Sequence, residues 1–322
     1  MRYVRLGKTD LTVSRIALGT WAFGGEWGPF DRGEAKGAVH RALELGINFF
    51  DTAQAYGFGV SEKVLAEALW PRVCRDQVTV ATKGGLRMEG AKTLRDASAG
   101  WLRRGVESSL RNLRTDYIDL YQVHWPDLHT PAEETAGVLE ELVGEGKIRH
   151  VGVSNYGTQQ MEELAHHGRL ETLQPPYHMF RREIEVEVLP YASRNDMGVL
   201  VYGPLAHGML SGSLTPDTTF LEGDWRRYNP DFTGETFRRN LLVAARLKDY
   251  AEGWGITLPQ LAVAWTLSGP SVHVALVGAR RASQLDETAA AGDIELSEAD
   301  RHEIDTILAG AAPLVGPSPE GV

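Results

Sequence analysis

The chain has 322 residues, 43 % of them hydrophobic, which is enough to bury one large core or two ordinary ones. Lysine and arginine number 33 against 43 aspartate and glutamate residues, so the formal net charge is −10. This balance argues against nucleic acids and anionic membranes as partners, because both need clustered positive charge. Cys74 is the single cysteine, which excludes an internal disulfide and a four-cysteine zinc site and fits a cytoplasmic location. No apolar run approaches the ~20 residues of a membrane span.

The apolar runs predict a short hairpin followed by eight strands. Residues 3–13 have the composition of a hairpin that turns at residues 7–10. The strands that follow are near-continuously apolar, as parallel sheets require. Their predicted bounds are 15–20, 48–51, 78–82, 118–123, 150–153, 172–174, 198–202 and 272–277.

Helices are predicted between the strands from apolar stripes and end signals. Asp31 and Glu34 have capping-box spacing, Pro131 begins a helix, and Ser297 caps the last one. Helices with predicted bounds cover residues 61–69, 183–195, 238–253 and 258–268. Two segments differ from this pattern: a polar loop at residues 83–97, and a loop at residues 203–236 whose length favours a lid or binding loop.

Eight alternations of strand and helix predict a (β/α)8 barrel, the TIM-barrel fold. A doubly wound sheet would usually carry G-x-G-x-x-G after its first strand, and residues 19–24, GTWAFG, do not match that pattern. We expect a single barrel domain over residues 1–312. Residues 313–322 are rich in proline and glycine and are expected to be a disordered tail.

Three successive strands end in residues suited to acid–base chemistry. Asp51 ends the second strand, Lys83 the third and His124 the fourth, while Tyr56 follows Asp51 in the next loop. In a parallel barrel these ends meet at one rim, where active sites lie. An ammonium group lowers the pKa of a nearby phenol from its usual ~10, so Lys83 beside Tyr56 makes a proton donor for a carbonyl oxygen. No residue of this set supplies a hydride, so a cofactor must do so.

Taken together, the motifs of the chain resemble those of the aldo-keto reductase superfamily from about residue 1 to residue 310. The similarity is greatest to its bacterial and potassium-channel-beta-subunit-like branch. The motifs are residues 7–14, GKTDLTVS; 18–21, LGTW; 48–57, NFFDTAQAYG; 82–83, TK; 119–124, DLYQVH; 152–155, GVSN; and 278–280, GAR. The resemblance implies a (β/α)8 barrel, NADPH as cofactor, and a catalytic tetrad of Asp51, Tyr56, Lys83 and His124.

The resemblance also implies a set of cofactor-binding residues. Ser154, Asn155 and Gln174 would hold the nicotinamide carboxamide, and Tyr202 would stack on the nicotinamide ring. The other implied positions are Gly19, Thr20, Trp21, Pro204, Leu205, Gly208, Gly278, Ala279, Arg280, Gln284, Glu287 and Thr288. Arg280 with Arg281 offers a bidentate partner for a 2′-phosphate, whereas Val277 and Thr288 depart from the family pattern at this adenosine end.

We therefore expect an NADPH-dependent enzyme that reduces aldehyde or ketone carbonyls to alcohols. Hydride would come from nicotinamide C4, and Tyr56 would act as the general acid. The substrate is expected to be a small carbonyl compound, in a pocket formed by Trp21, Phe23, Tyr56, Trp125 and Trp225. We expect no metal, and a monomer or small homo-oligomer.

Two other functions remain open from the sequence. One is a cofactor-binding regulatory subunit with little turnover. The other is a lyase in which Lys83 forms a Schiff base with its substrate. A pair of arginines in the long loop, Arg226 and Arg227, is expected at the surface.

Overall fold

The structure, a computed structural model, describes residues 1–90 and 92–314. Eight parallel strands close into a barrel in which each strand pairs with the next along the chain and the last pairs with the first. The (β/α)8 prediction is therefore confirmed. The strands are β1 (Ile16–Gly19), β2 (Phe49–Asp51), β3 (Thr79–Gly84), β4 (Ile118–Val123), β5 (Ile148–Ser154), β6 (Thr172–Gln174), β7 (Gly198–Tyr202) and β8 (Val274–Gly278).

Helices surround the barrel, and several begin where the sequence predicts. The side chain of Asp31 accepts a hydrogen bond from the backbone N–H of Glu34 at 2.8 Å, and Ser297 caps the last helix by accepting from the N–H of Asp300 at 3.2 Å. The helices are α1 (Arg32–Glu44), α2 (Val60–Leu69), α3 (Ala99–Leu113), α4 (Ala132–Gly144), α5 (Thr158–His167), α6 (Val188–Arg194), α7 (Gly234–Gly253), α8 (Leu258–Leu267), α9 (Ala282–Thr288) and α10 (Glu298–Leu308).

Two predicted segments were wrong in detail. The polar loop at residues 83–97 contains an antiparallel hairpin, Leu86–Glu89 paired with Lys92–Arg95, which turns beside Gly90 at a positive φ of 62°. The single helix predicted at residues 183–195 is a short 3-10 turn, Glu183–Glu185, followed by α6. Pro190 lies in the first turn of α6, where its missing N–H has no cost, so a helix starting five residues earlier would be interrupted there.

The core has two layers, as the barrel requires. One layer fills the space between the strands and the helices. The other fills the barrel interior with one or two inward side chains from each of six strands. It consists of Ala17, Phe49, Ala81, Leu120, Leu200, Tyr202, Val274 and Leu276 together with Leu6, Leu11 and Val13. Side chains alternate between the layers along each strand, which explains why the strands are apolar throughout.

An N-terminal hairpin closes one end of the barrel. Tyr3–Arg5 pairs antiparallel with Thr12–Ser14, as predicted. Leu6 and Leu11 from the connecting turn, and Val13 from the second strand, lie in the interior core. Asn48 joins the hairpin to the start of β2, because its side chain accepts from the N–H of Ser14 at 2.7 Å. The chemistry-bearing strand ends lie at the opposite, open end, which we call the rim.

The packed part of the chain extends beyond residue 312. Leu314, which we expected in a disordered tail, is buried, and its backbone N–H donates to the carbonyl oxygen of Phe180 at 2.9 Å. Residues 315–322 of the predicted tail lie outside the described residues. In the described part of the chain, the helices are all too short or too polar to cross a membrane.

Candidate active site

Asp51 and Lys83 form a buried ion pair at the rim, where β2 and β3 lie side by side. Lys83 is 0 % exposed and Asp51 is 2 % exposed. The ammonium nitrogen Nζ of Lys83 lies 2.5 Å from Oδ1 of Asp51 and 3.0 Å from the carbonyl oxygen of Thr52. Because an unpaired charge is costly to bury, each of these two groups compensates the charge of the other inside the barrel.

Tyr56 completes a chain of contacts that starts at Asp51. Its hydroxyl oxygen lies 3.3 Å from Nζ of Lys83. An ammonium group can only donate, so the hydroxyl oxygen accepts this bond and the hydroxyl hydrogen points away from Lys83. The loop that carries Tyr56 needs a glycine next to it, since a Cβ at Gly57 would lie 2.6 Å from the carbonyl oxygen of Gly24.

His124 brings the fourth strand end to the same place. It is 2 % exposed, and its ring packs edge-on against the ring of Tyr56, with centroids 5.8 Å apart and an interplanar angle of 80°. Its backbone N–H donates to the carbonyl oxygen of Gly84 at 2.9 Å. The four residues that the sequence predicts as a catalytic tetrad are therefore neighbours in the structure.

The second carboxylate oxygen of Asp51 meets two amide side chains. Oδ2 accepts from Nε2 of Gln174 at 2.9 Å and from Nε2 of Gln122 at 3.4 Å. Sequence reasoning missed Gln122. It lies two residues before His124 on β4, so both side chains face the barrel interior, and a polar residue at an inward position was the available signal.

Four predicted cofactor residues connect the ends of β5, β6 and β7. Oγ of Ser154 donates to the backbone carbonyl of Gln174 at 2.8 Å. Asn155, at a positive φ of 62°, donates from Nδ2 to the carbonyl oxygen of His124 at 3.1 Å, and its Oδ1 accepts from the hydroxyl of Tyr202 at 2.8 Å. Asparagine adopts this conformation more readily than most residues, so the position suits the residue found there.

A cavity of about 290 Å³ opens at the rim. Tyr56 and Asp51 line it, whereas Lys83, His124, Ser154 and Asn155 are not among its lining residues. The predicted residues that line it are Gly19, Thr20, Trp21, Asp51, Tyr56, Gln174, Tyr202, Pro204, Leu205, Gly208, Gly278, Arg280 and Gln284. Residues that line it without having been predicted include Trp27, Gly203, His207, Ser211, Ser213, Arg226 and Leu276.

Comparison with known proteins identifies the family of this chain. The model of the aldo/keto reductase family matches residues 15–309. This chain belongs to the aldo/keto reductase family. The aldo-keto reductase YhdN of Bacillus subtilis (strain 168) is 42 % identical over 310 residues, which cover 96 % of this chain and 94 % of YhdN.

Two further relatives match along nearly their whole length. The NADH-specific methylglyoxal reductase of Escherichia coli (strain K12) is 36 % identical over 316 residues, covering 93 % of this chain and 96 % of that protein. The solved structure of the glycerol dehydrogenase from Gluconobacter oxydans superimposes with a TM-score of 0.89 at 39 % identity and covers 98 % of both chains. Membership of this family makes the protein an oxidoreductase of the carbonyl-reducing type that uses a nicotinamide cofactor.

Aromatic side chains form one wall of the cavity in this aldo/keto reductase. Trp21 stacks on Trp225 with ring centroids 5.9 Å apart, and Trp27 meets Trp21 edge-on at 5.1 Å. The ring of His207 lies within this group, 5.2 Å from the ring of Trp225. Trp225 was predicted to line the pocket, but it supports Trp21 from behind and does not border the cavity itself.

Arg226 corrects an expectation, because it is a half-buried part of this wall, with its side chain 15 % exposed, rather than a surface residue. Its guanidinium donates to both carboxylate oxygens of Asp224, at 3.0 Å and 2.6 Å, and to the carbonyl oxygen of His207 at 3.2 Å. The guanidinium also covers the ring of Trp27 at 4.9 Å from its centroid. Asp224 and Trp27 form a β-bridge, so Arg226 ties the loop after β7 to the loop after β1. Arg227 is exposed, as expected.

Phe23 and Trp125, two of the predicted substrate-pocket residues, do not border this cavity. Phe23 is 0 % exposed and stacks on Phe30 in the outer core. It lies on the same 3-10 turn as Trp21, and such a turn rotates by about 120° per residue, so residues two apart face different ways. Trp125 is also buried, and its ring is covered by the guanidinium of Arg95 at 4.7 Å.

The adenosine end of the predicted site differs from expectation in four positions. Arg280 donates to the backbone carbonyls of Trp27, at 3.5 Å, and of Pro29, so its guanidinium holds the loop after β1. Ala279 and Thr288 are buried, and the hydroxyl of Thr288 donates to the carbonyl oxygen of Gln284 at 2.9 Å within α9. Neither borders the cavity. Glu287 is exposed and lies outside the cavity lining.

Metal chemistry has no visible site in the described part of the chain, where no three histidine, cysteine, aspartate or glutamate side chains are grouped to hold an ion. The Schiff-base alternative also meets an obstacle. Lys83 is fully enclosed, and its ammonium has three donors and three acceptors, Asp51, Thr52 and Tyr56. A nucleophilic amine would have to break these bonds and lose its proton.

Proposed function

We propose that this aldo/keto reductase uses NADPH to reduce the carbonyl of an aldehyde or ketone, with Tyr56 as the general acid. The observation that supports this most is the buried chain from Asp51 through Lys83 to Tyr56, which ends at the cavity on the rim. The proposal includes a small carbonyl compound as substrate. It also includes a cytoplasmic location, which suits a chain with one cysteine.

In the proposed mechanism Tyr56 gives its proton to the carbonyl oxygen of the substrate. The hydroxyl oxygen of Tyr56 accepts a bond from Lys83, and Tyr56 lines the cavity in which the carbonyl group would lie. As the proton leaves, negative charge develops on Tyr56, and the ammonium of Lys83 stabilises that charge from 3.3 Å. Asp51 holds Lys83 in position through its contact with Nζ at 2.5 Å.

His124 stands on the other side of Tyr56 and limits where the carbonyl oxygen can lie. Its ring is held edge-on to Tyr56, and Asn155 fixes the backbone carbonyl of His124 from β5. Because His124 does not border the cavity, we assign its effect to Tyr56: its ring would keep the hydroxyl of Tyr56 where it can protonate the carbonyl oxygen. A proton donor that is already in position lowers the cost of the charge that develops on that oxygen.

The residues at the rim fit a nicotinamide cofactor. Gln174 and Tyr202 both line the cavity beside Asp51 and offer an amide and an aromatic face, the groups that recognise a carboxamide-bearing ring. Further along, Gly278 is exposed, and no described atom lies within 4 Å of the place where its Cβ would be, so there is room for a chain-like ligand. When bound, the cofactor supplies the hydride, and these residues orient it.

The preference for NADPH over NADH rests on the arginines that follow β8. Arg280 is engaged with the loop after β1. Arg281 is exposed, and among the described residues its side chain is hydrogen-bonded to the neighbouring hydroxyl of Ser283 at 3.2 Å. We therefore assign the contact with a 2′-phosphate chiefly to Arg281. The E. coli relative is NADH-specific, so the family does not decide this point.

The proposed substrate pocket is the aromatic part of the cavity. Trp21 lies 6.3 Å from Tyr56, measured between ring centroids, so a carbonyl group within reach of Tyr56 would have its substituents against Trp21 and Trp27. Broad aromatic surfaces make few directional demands. We therefore expect a range of aldehydes and ketones to be reduced rather than one.

The test is a titration of the purified protein with NADPH and with NADH, followed by turnover with an aromatic aldehyde. We expect NADPH to bind more tightly and to be oxidised only when aldehyde is present. Arg281→Met should weaken NADPH binding about tenfold, through loss of a charged contact, and leave NADH binding unchanged. Tight binding without turnover would favour the regulatory-subunit alternative, and failure to bind either cofactor would refute the proposal.

A further inference from the structure

The barrel interior just below the rim contains a ring of three polar side chains with no assigned role as a group. Asp51, Gln122 and Gln174 come from β2, β4 and β6, and each is at most 2 % exposed. Oδ2 of Asp51 accepts from both amides, at 2.9 Å from Gln174 and 3.4 Å from Gln122. Nε2 of Gln174 also donates to Oε1 of Gln122 at 3.4 Å. The three side chains therefore contact each other in a closed triangle.

The charge of Asp51 determines how both amides are oriented. The ammonium of Lys83, 2.5 Å from Oδ1, keeps Asp51 ionised, and an ionised carboxylate only accepts hydrogen bonds. The amide atom of Gln174 that faces Asp51 must therefore be the nitrogen. The same argument applies to Gln122, whose oxygen is then the atom left to face Gln174. Orientation of an amide is otherwise ambiguous, and here the chemistry of its neighbours resolves it.

This arrangement uses both N–H groups of Gln174. One donates to Asp51 and the other to Gln122, so the atom of the amide that neither neighbour engages is Oε1. Gln174 borders the cavity, and it therefore offers an acceptor there, not a donor. Without Gln122 one N–H would have no fixed partner, and rotation of the amide would cost less.

We propose that Gln122 is a positioning residue that, together with Asp51, locks the amide of Gln174 so that Oε1 faces the cavity as a hydrogen-bond acceptor. The inference rests on the proposed function, because the group that Oε1 would recognise is the N–H of the nicotinamide carboxamide. It adds to that function a residue that selects the amide form of the cofactor. It also joins the cofactor site to the acid–base chain, because Asp51 holds Gln174 through Oδ2 and Lys83 through Oδ1.

A cofactor analogue without that N–H tests whether the amide of Gln174 is held in this orientation. In the oxidised 3-acetylpyridine dinucleotide a methyl group replaces the amide nitrogen, so nothing remains to donate to Oε1 of Gln174. Dissociation constants for the natural oxidised cofactor and for this analogue are measured by quenching of tryptophan fluorescence, in whichever series, NADP or NAD, binds the wild type more tightly. We expect the wild type to prefer the natural cofactor by about fivefold or more.

Gln122→Met keeps the approximate volume and removes both polar atoms. We expect its preference to fall to about twofold or less, because the Gln174 amide can then turn its N–H toward the acetyl oxygen. Gln174→Met should lose the preference in the same way, and Gln122→Met should have no further effect when added to it. Tyr121→Phe is the matched control: Tyr121 is the strand neighbour of Gln122, is 0 % exposed and faces the outer core, so the preference should stay at the wild-type value.

The possible results separate this inference from the function on which it rests. A wild type that binds no dinucleotide refutes the proposed function. A wild type that discriminates, with Gln122→Met discriminating equally well, overturns the role of Gln122 and leaves the function standing. Equal binding of the two cofactors by the wild type overturns the assignment of Oε1. If Gln122→Met does not fold, as judged by circular dichroism, Gln122→Leu provides the same comparison.

Discussion

The two ends of this barrel are made from the same eight strands, and they differ in what the strand-end residues contact. At the rim, Asp51, Lys83 and Tyr56 contact one another through buried hydrogen bonds, and long loops surround them. At the closed end, Leu6, Leu11 and Val13 of the hairpin fill the barrel with apolar side chains. In TIM barrels in general, the residues at the closed end contribute to stability, and the loops at the open rim carry the chemistry. The same division is visible here within a single chain.

Charged groups occur at both ends, but their surroundings differ. The Asp51–Lys83 pair at the rim is excluded from water. At the closed end, the ring of His150 lies between Glu171, at 2.9 Å, and Asp10, at 2.8 Å, and the side chain of Asp10 is 88 % exposed. A charged group in contact with water loses little hydration on folding, and its ion pair contributes little to the free energy of unfolding. Substitutions at the two ends should therefore affect different quantities.

The largest effect is expected from removing one oxygen atom at the rim. Tyr56→Phe deletes the proposed proton donor and should lower kcat about 10²- to 10⁴-fold, with the dissociation constant for NADPH nearly unchanged. Stopped-flow or steady-state kinetics with an aromatic aldehyde measure the first quantity and fluorescence titration the second. A wild-type rate in this variant would show that another group is the acid.

The matched control removes the same atom at the closed end. The hydroxyl of Tyr3 donates to the carbonyl oxygen of Gly46 at 2.7 Å, and Tyr3 is 51 % exposed. Tyr3→Phe should leave kcat unchanged and lower the free energy of unfolding by about 1 kcal/mol or less. A kinetic defect in Tyr3→Phe would mean that the two ends are coupled and that the comparison between them fails.

The next effect is on stability alone. Leu6 is 0 % exposed and packs against Gly198, where an added Cβ would lie 2.6 Å from Cγ of Leu6. Leu6→Ala should therefore leave a cavity and lower the free energy of unfolding by about 2–5 kcal/mol, as measured by urea denaturation. Leu242→Ala, at a position 70 % exposed on α7, should change it by at most about 0.5 kcal/mol. Under conditions in which Leu6→Ala is folded, a lowered kcat would contradict the separation of the ends.

The sequence predicted the site residues whose positions follow from local pattern. It did not predict those whose roles depend on tertiary contacts. Asp51, Lys83 and His124 were located because each ends an apolar strand, and strand direction alone then brings them together. Arg226 and Gln122 were not located, because their roles depend on partners that are distant in sequence, such as Asp51 for Gln122. Phe23 was placed on the wrong side, since the direction of a side chain on a short turn depends on the geometry of that turn.

The smallest expected effect depends on pH. Burial acts to lower the pKa of His150, but hydrogen bonds and charges from Glu171 and then Asp10 outweigh it, so the pKa is raised above its usual value. A raised folded-state pKa means that the stabilisation is fully present below the unfolded pKa of about 6.5. It is lost as the pH rises through the folded-state value. The same residue that stabilises the closed end at mildly acidic pH should therefore contribute little in alkaline solution.

His150→Gln removes the titrating group and retains a polar side chain. We expect it to be less stable than the wild type by about 1 kcal/mol near pH 6, and the difference to shrink near pH 9. Urea unfolding at the two pH values measures it, with His166→Gln, at an exposed position on α5, as the control. Because Glu171 has a lowered pKa, its own contribution changes only in more acidic solution, below this window. A difference that stayed constant between the two pH values would show that His150 acts by packing, not by charge, and the closed end would then have no electrostatic counterpart to the pair at the rim.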